Sequence, residues 1–323
     1  MGLINTIRQH AAMASGNFTV ILKDAEIPPL PAAVSRLLSE INRTDPNVDL
    51  LGKMISADPE IAAKVLRTVN SPLFALKNPV QNIVHAISLL GLERIRTLVL
   101  SYTMLKTLPE PEIVLFDHEA YWTDSLLHAF LAQHLCREVH HGQEESAFTA
   151  SLLADLALPV LLAGWHRYYE PVITAWLDTT QRLSEIEQQD FGWNHAQAGG
   201  WILQEWEFPA EMVCLAATHN LNPQQLQEMD LADTAAMPVS IASLLPSVLK
   251  PDPDRCRLLL KTGTAELSLE PDAWLSVLDQ VLEDFVAVCQ QFGLSPSRAE
   301  RVLDLFAEVA GKAEPNHDSL DEP

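Results

Sequence analysis

The stretch Ser146–Trp165, which reads SAFTASLLADLALPVLLAGW, decides the fold of this chain. Its only formal charge is on Asp155, and a lone carboxylate in so apolar a run is costly to bury without a partner. Three structures would explain it: a membrane span with a functional acid, a catalytic helix whose Asp binds a metal, or a core helix whose Asp is hydrogen-bonded. An Asp at the centre of a span costs about 2.5–3.5 kcal/mol, and Pro159 adds a break. The pattern therefore excludes a membrane span and predicts a buried helix, over Glu144–Gly164.

The composition is that of a folded globular protein with an acidic surface. Of 323 residues, 48% are hydrophobic and 20% charged, and 43 acids against 21 bases give a formal net charge of −22. Such a surface repels phosphate backbones, so we expect no binding to DNA or RNA. The N-terminus lacks a charged and apolar export signal, so we expect a cytoplasmic protein without a membrane segment. Its four cysteines form no CxxC pair, and we expect them to be reduced.

The spacing of apolar residues and of helix breakers predicts an all-α fold in five segments. An N-terminal segment covers 1–20, and an N-terminal helical subdomain follows over 21–107. Leu108–Glu112 contains two prolines and is predicted to be a linker. A helical core over 113–230 and a C-terminal helical extension over 231–312 come next. Residues 313–323 are polar and are predicted to be a disordered tail.

Helix limits follow from capping residues and prolines. Asp58-Pro59-Glu60 combines a capping Asp, a proline suited to the first turn and an acid that faces the helix dipole. Ser71-Pro72 must end the helix that begins there. Ser184 and Glu187 are interpreted as a capping box, and Gly263–Glu266 as a turn. The helices predicted after the linker are 119–140, 144–164, 166–179, 184–191, 194–206, 209–219, 238–249, 252–261, 271–292 and 296–311.

Histidines and aspartates are the candidate chemistry of the predicted core. Helices that carry both residue types are a common way to hold a metal, although a single histidine is more often at the surface or merely hydrogen-bonded. Asp155, His195 and His219 form a candidate cluster, because His195 opens one predicted helix and His219 closes the next. Asp124 and His128 are one turn apart, so they either face a common site or form a surface pair.

Several motifs, in order, resemble the HDOD family of bacterial signalling proteins over about residues 20–220. The N-terminal motifs are Leu30-Pro31, Ile55–Pro59, Lys64–Pro72 and Ala86–Gly91. The motifs of the core are Tyr121-Trp122 with Ser125, the run Leu152–Leu156, His195, Trp206–Pro209 and His219. Each motif alone is weak, but their joint order is specific. The resemblance implies an HD-domain-like helical core with an N-terminal helical subdomain and a C-terminal helical extension.

The family is related to HD-domain metal-dependent phosphohydrolases, and this chain departs from their ligand pattern. Those enzymes carry a His-Asp pair on the helix that corresponds to Ser146–Trp165, and here the pair reads Ala154-Asp155. Their earlier His corresponds to Asp124, and Asn220 stands where a second His often follows the one at His219. Losing two imidazoles would weaken the fixed, open coordination that such hydrolysis requires. The relic pocket that the resemblance implies consists of Asp124, Asp155, His195 and His219.

The resemblance implies a signal-transduction output or adaptor module that acts through protein contacts, without enzymatic activity, cofactor or bound metal. No receiver, cyclase or phosphodiesterase segment is visible, so we expect a stand-alone adaptor whose protein partner the sequence does not identify. Lys64 and Arg67, predicted to lie on the exposed side of their helix, are candidates for the partner surface. Two alternatives stay open: a residual metal-dependent phosphohydrolase, and a sensor that binds a small ligand or metal in the relic pocket.

Overall fold

A computed structural model describes residues 18, 30, 32–41, 43, 45–111, 113–139 and 142–311. All regular structure within these residues is helical, which confirms the predicted all-α fold. The predicted N-terminal segment over 1–20, except Phe18, and the predicted tail over 313–323 lie outside the described residues. The borders between the predicted segments stay predictions.

The N-terminal part is built from short helices whose starts are set by side-chain caps. The Asp58 side chain accepts the backbone N–H groups of Glu60 and Ile61, as the Asp-Pro-Glu pattern predicts. After this helix, the Asn70 side chain donates to the Val80 carbonyl and accepts the Val80 N–H, which closes the following loop. The helices are α1 (Ala32–Ile41), α2 (Val48–Ser56), α3 (Pro59–Val69), α4 (Ile83–Leu90) and α5 (Leu92–Thr107).

One long helix is the centre of the remaining fold. It covers His118–Glu138 and packs against helices from both the predicted core and the C-terminal extension. Trp122, Leu126, Leu127, Leu131 and Leu135 are buried along it. The helices from this point are α6 (His118–Glu138), α7 (Glu144–Leu152), α8 (Ala157–Asp178), α9 (Leu183–Phe191), α10 (His195–Glu205), α11 (Ala210–Thr218), α12 (Pro223–Glu228), α13 (Ala236–Ala242), α14 (Pro253–Leu267), α15 (Pro271–Val288) and α16 (Ser297–Gly311).

The predicted helix over Glu144–Gly164 is wrong in one respect, because a turn over residues 153–156 divides it into α7 and the start of α8. Pro159 explains the turn: proline cannot donate to the carbonyl four residues earlier, and its ring clashes with that carbonyl. That carbonyl belongs to Asp155, which instead accepts the Leu158 N–H at 2.9 Å. The break predicted between Gly164 and His166 is a kink within α8, at Trp165. Asp155 therefore lies in a turn, not in the middle of a helix.

Two further predictions fail in the C-terminal extension. Gly263–Glu266 is not a turn but part of α14, where Gly263 leaves room for the fully buried Trp274. The predicted helix over 238–249 is helical only up to Ala242, since α13 ends there and turns follow. The first error arises because the sequence shows the glycine but not the tryptophan that packs against it.

The apolar stretch is a core element by its burial. Glu144–Asp178 is long and apolar enough to span a membrane, with a mean hydropathy of 1.8 in its most apolar window. However, 78% of that window is buried inside the fold. A stretch covered by its own protein in this way needs no lipid, which supports the prediction of a core segment.

Candidate ligand and metal site

Asp155, His195 and His219 meet at one point, as the sequence predicts. Asp155 Oδ1 lies 3.1 Å from His195 Nε2 and 3.4 Å from His219 Nε2. One ligand atom from each of the three residues lies within 4.8 Å of the other two. Both imidazoles are buried, and the Asp155 side chain is 20% exposed. The three residues, named the Asp155 cluster below, have the composition and spacing of a site for one metal ion.

The three residues of this cluster lie at the ends of three different helices. Asp155 comes from the turn before α8, His195 begins α10 after the capping residue Asn194, and His219 follows the last residue of α11. Two adjacent glycines let α10 lie close to α11 and to the turn before α8. A Cβ on Gly200 would lie 2.7 Å from the Ala217 Cβ, and one on Gly199 would lie 3.3 Å from the Ala154 carbonyl oxygen.

Glu187 holds His195 in place, which the sequence analysis missed. Its Oε2 accepts the Nδ1–H of His195 at 2.5 Å and the backbone N–H of His195 at 2.9 Å. The Glu187 side chain is fully buried. The predicted capping box of Ser184 and Glu187 is therefore wrong, and the carboxylate that caps α9 belongs to Glu185, which accepts the Arg182 N–H.

His219 is oriented in the same way by a backbone carbonyl. Its Nδ1 lies 2.7 Å from the Ala216 carbonyl oxygen, which can only accept, so Nδ1 carries a proton. Nε2 of His219 then faces Asp155, as Nε2 of His195 does. Carboxylate or carbonyl partners on Nδ1 are the usual means of aiming Nε2 at a metal. The Asp155 cluster thus has the orienting partners that a metal site requires.

The charges of this cluster stabilise one another. Burial alone would lower the pKa of His195, but Glu187 and Asp155 outweigh it and raise that pKa to about 10. Burial alone would raise the pKa of Asp155, but hydrogen bonds from His195 and His219 hold it well below its usual range. An imidazolium between two carboxylates is therefore the stable form near neutral pH.

Asn220, at the position where related enzymes often have a second His, contacts His195 through its side-chain amide. Arg182 donates to Asn220 Oδ1 at 2.7 Å, which fixes the amide orientation. Asn220 Nδ2 consequently faces His195 Nε2, at 2.9 Å. Nε2 can donate to Asp155 when protonated or accept from Asn220 when not, so its proton decides which contact is a hydrogen bond.

Asp124 lines the same cavity but is not part of the Asp155 cluster. Its Oδ2 accepts from Ser247 Oγ at 2.5 Å, and its Oδ1 accepts the Val248 N–H at 2.8 Å. Burial raises the pKa of Asp124 to about 7, against the opposing effect of these two hydrogen bonds. His128 lies on the cavity wall as well, with Nε2 3.1 Å from the Leu245 carbonyl oxygen. The alternative that Asp124 and His128 form a surface pair is therefore wrong.

We expect Asp124→Asn to remove a pH-dependent loss of stability. In the folded protein the pKa of Asp124 is about 7, whereas in the unfolded chain this side chain ionises above about pH 4. The stability of the wild type therefore falls as the pH rises from about 4 to 7. Asparagine can keep both hydrogen bonds without a charge. Urea unfolding between pH 5 and 8.5 should show the wild type losing about 2 kcal/mol relative to Asp124→Asn.

The matched control is Asp190→Asn, which changes an exposed carboxylate. Its stability difference from wild type should not vary over the same pH range. If the Asp124→Asn difference is equally constant, Asp124 does not titrate as stated.

These residues surround a cavity of about 160 Å³. The lining combines the Asp155 cluster with apolar side chains. These apolar side chains, called the apolar wall below, include Leu158, Leu162, Ile173, Trp176 and Leu245. Ala154 is buried next to Asp155 and is not among the residues that line the cavity. Its methyl group offers no ligand in place of an imidazole.

Of the two residues predicted to be exposed on their helix, only one is exposed. Arg67 is exposed on α3. Lys64 is only 21% exposed, because its ammonium lies 3.6 Å from Glu60 Oε1 and 5.7 Å from the centre of the Tyr102 ring. Lys64 thus already has partners within the fold.

The sequence matches the model of a known protein family. The model of the HDOD domain matches residues 27–221, which is more than half of the chain. The chain belongs to the HDOD domain family. The match covers the N-terminal helices and every residue of the Asp155 cluster. It confirms the resemblance on which the HD-like core was expected.

Solved structures share the HDOD fold over nearly the whole chain. An HDOD domain protein of unknown function from Geobacter sulfurreducens is 19% identical, with a TM-score of 0.60 and coverage of 89% of this chain and 97% of that one. A proposed phosphohydrolase from Shewanella amazonensis SB2B is 21% identical, with a TM-score of 0.59 and coverage of 90% and 96%.

A proposed signal transduction protein from Marinobacter aquaeolei VT8 is 19% identical, with a TM-score of 0.60 and coverage of 94% of this chain and 67% of that one. Among proteins with curated functions, none matches the sequence significantly. At these identities the likeness shows the fold alone. Because the coverage extends beyond residue 221, the C-terminal helices belong to the shared fold.

Proposed function

We propose that this HDOD protein is a non-catalytic output or adaptor module in signal transduction, which acts through protein contacts. The non-catalytic part of this proposal is supported by two positions that would supply metal ligands in the related enzymes. Ala154 replaces the imidazole beside Asp155, and Asp124 uses both carboxylate oxygens to bind Ser247 and Val248. The Asp155 cluster therefore offers ligands to one metal ion.

Phosphoester hydrolysis in the related enzymes depends on metal ions that activate water and hold the phosphate oxygens. A pair of ions would need at least the missing imidazole and a free Asp124. The similar structures include both a proposed phosphohydrolase and a proposed signal transduction protein, and the ligand losses favour the second description for this chain.

Capture of partners tests the adaptor proposal. The full chain, immobilised, should recover the same protein in repeated captures from lysate of its own cells, and a chelator should not release it. Asp155→Asn should recover it equally, since the proposed contact does not use the Asp155 cluster. Failure to recover any specific protein would contradict the proposal.

The exposed Arg67 gives a sharper form of this experiment. If α3 carries the partner surface, Arg67→Glu should reduce capture, whereas Arg257→Glu on the distant α14 should not. Arg257 is also an exposed arginine, 62% exposed, so it controls for the charge change alone. Equal capture by both variants would remove α3 from the partner surface.

A second candidate function is supported by the geometry of the Asp155 cluster. Two Nε2 atoms and one carboxylate oxygen converge, and both imidazoles have orienting partners on Nδ1. This set fits one divalent transition-metal ion, which would make the protein a metal sensor. Titration with Zn²⁺, Mn²⁺ and Fe²⁺ should give one binding site per chain, which His219→Ala abolishes. Stoichiometric binding that survives His219→Ala would place the metal elsewhere.

A further inference from the structure

Arg182 is a mostly buried cation on the cavity wall whose hydrogen-bond partners are neutral. Its guanidinium donates to the Asn220 carbonyl oxygen at 3.3 Å, to Asn220 Oδ1 at 2.7 Å and to Ser243 Oγ at 2.9 Å. Within the described residues it forms no ion pair with a carboxylate. Burial and the charge of Arg255 lower its pKa to about 10, against the opposing charges of Glu185 and Asp155. A cation desolvated in this way gains more from an anion than from neutral partners.

Arg255, on α14, is a second cation that lines the same cavity. It forms neither a hydrogen bond nor an ion pair within the described residues, although it lines the cavity and is half-buried. The acids whose charges act on it are Glu185 and Asp252. Each of them already accepts a backbone N–H, Glu185 that of Arg182 and Asp252 that of Asp254. Neither acid forms an ion pair with the Arg255 guanidinium, so its donors are open to a ligand.

Two arginines that repel each other in one cavity are unusual in a chain of net charge −22. Their mutual repulsion and the burial of Arg182 are both relieved if an anion binds between them. The planar guanidinium group of arginine can donate two parallel hydrogen bonds to a carboxylate or phosphate group. The cavity also contains Asp155, whose Oδ1 faces His195 Nε2 at 3.1 Å and His219 Nε2 at 3.4 Å and forms no ion pair with either arginine.

The rest of the cavity limits the size and polarity of the ligand that carries the anionic group. The apolar wall of Leu158, Leu162, Ile173, Trp176 and Leu245 lies in the same cavity as the two arginines. Its volume is about 160 Å³. An apolar cavity of about 150 Å³ accommodates one benzene molecule. The volume of the cavity therefore suits an apolar body of about one six-membered ring.

We propose that this cavity binds a small organic anion, with its carboxylate or phosphate group on Arg182 and Arg255 and a ring-sized apolar body against the apolar wall. This site uses none of the three ligand atoms of the Asp155 cluster. It goes beyond the proposed adaptor function and does not depend on it. Partner capture and ligand titration are separate readouts, so either proposal can fail alone.

Calorimetric titration of the full chain tests the site with four probes: benzoate, phenyl phosphate, inorganic phosphate and benzyl alcohol. Benzoate or phenyl phosphate should saturate one site per chain, and the tighter of the two identifies the preferred anionic group. Inorganic phosphate and benzyl alcohol, which each carry half of the required chemistry, should bind more weakly. Absence of saturable binding of both aromatic anions at millimolar concentration would overturn the proposal, as would equal binding of inorganic phosphate.

Variants of two arginines on one helix separate the site from general charge. Arg255→Gln should weaken binding of the aromatic anion about tenfold, the loss expected for one charge-assisted hydrogen bond. Arg255 makes no hydrogen bond that the fold would lose. Arg257→Gln, an exposed arginine that pairs with Asp254, should leave the affinity unchanged. Equal affinity of Arg255→Gln and wild type would overturn the assignment.

Discussion

Glu187→Leu is expected to lower the free energy of unfolding by about 3–5 kcal/mol, the cost of removing one partner from a buried ion pair. Glu187 is fully buried and its Oε2 binds both Nδ1–H and the backbone N–H of His195. Leucine would leave these two donors without an acceptor inside the core. Urea unfolding monitored by tryptophan fluorescence measures the loss.

The control for this variant is Glu205→Leu, which changes an exposed glutamate at the end of α10. It should alter stability by no more than about 0.5 kcal/mol. If Glu187→Leu costs less than about 1 kcal/mol, His195 does not depend on this carboxylate, and the charge arrangement described for the Asp155 cluster is wrong.

Gly200→Leu is expected to cost about 3 kcal/mol and to separate the residues of the Asp155 cluster. Even a methyl group at this position would lie 2.7 Å from the Ala217 Cβ, so a leucine must push α10 away from α11. His195 is on α10 and His219 follows α11, so their separation should grow. Unfolding experiments measure the first effect, and loss of any metal binding in the titration measures the second.

Gln204→Leu is the control for Gly200→Leu, because it adds a leucine to an exposed position of the same helix. Stability close to wild type is expected for it. A Gly200→Leu protein as stable as the control would show that close approach of the two helices is not what assembles the cluster.

Much of the fold could be predicted because its signals are local. The Asp58 cap, the loop after Asn70 and the helices around the core follow from capping residues and prolines within a few positions. The three-residue cluster was also predictable, since His195 and His219 stand at helix ends near one another in the chain. The order of the motifs identified the family, and the family model confirms it.

What could not be predicted depends on contacts between distant residues. The effect of Pro159 on the Asp155 carbonyl was available from the sequence, but the apolar run made one continuous helix the simpler interpretation. Glu187 reads as a capping residue and gives no sign that it binds His195. The capture of Asp124 by Ser247 and Val248 joins residues more than a hundred positions apart, so no local pattern indicates it.

Metal-dependent turnover is the most direct test of the proposal that this protein is non-catalytic. The purified 323-residue chain is incubated with bis(4-nitrophenyl) phosphate and with cyclic dinucleotides in the presence of Mg²⁺, Mn²⁺ or Fe²⁺. With Ala154 beside Asp155 and Asp124 occupied by its own hydrogen bonds, we expect no turnover above the metal-only blank. Metal-dependent turnover that Asp155→Ala abolishes, in a variant that remains folded, would contradict it.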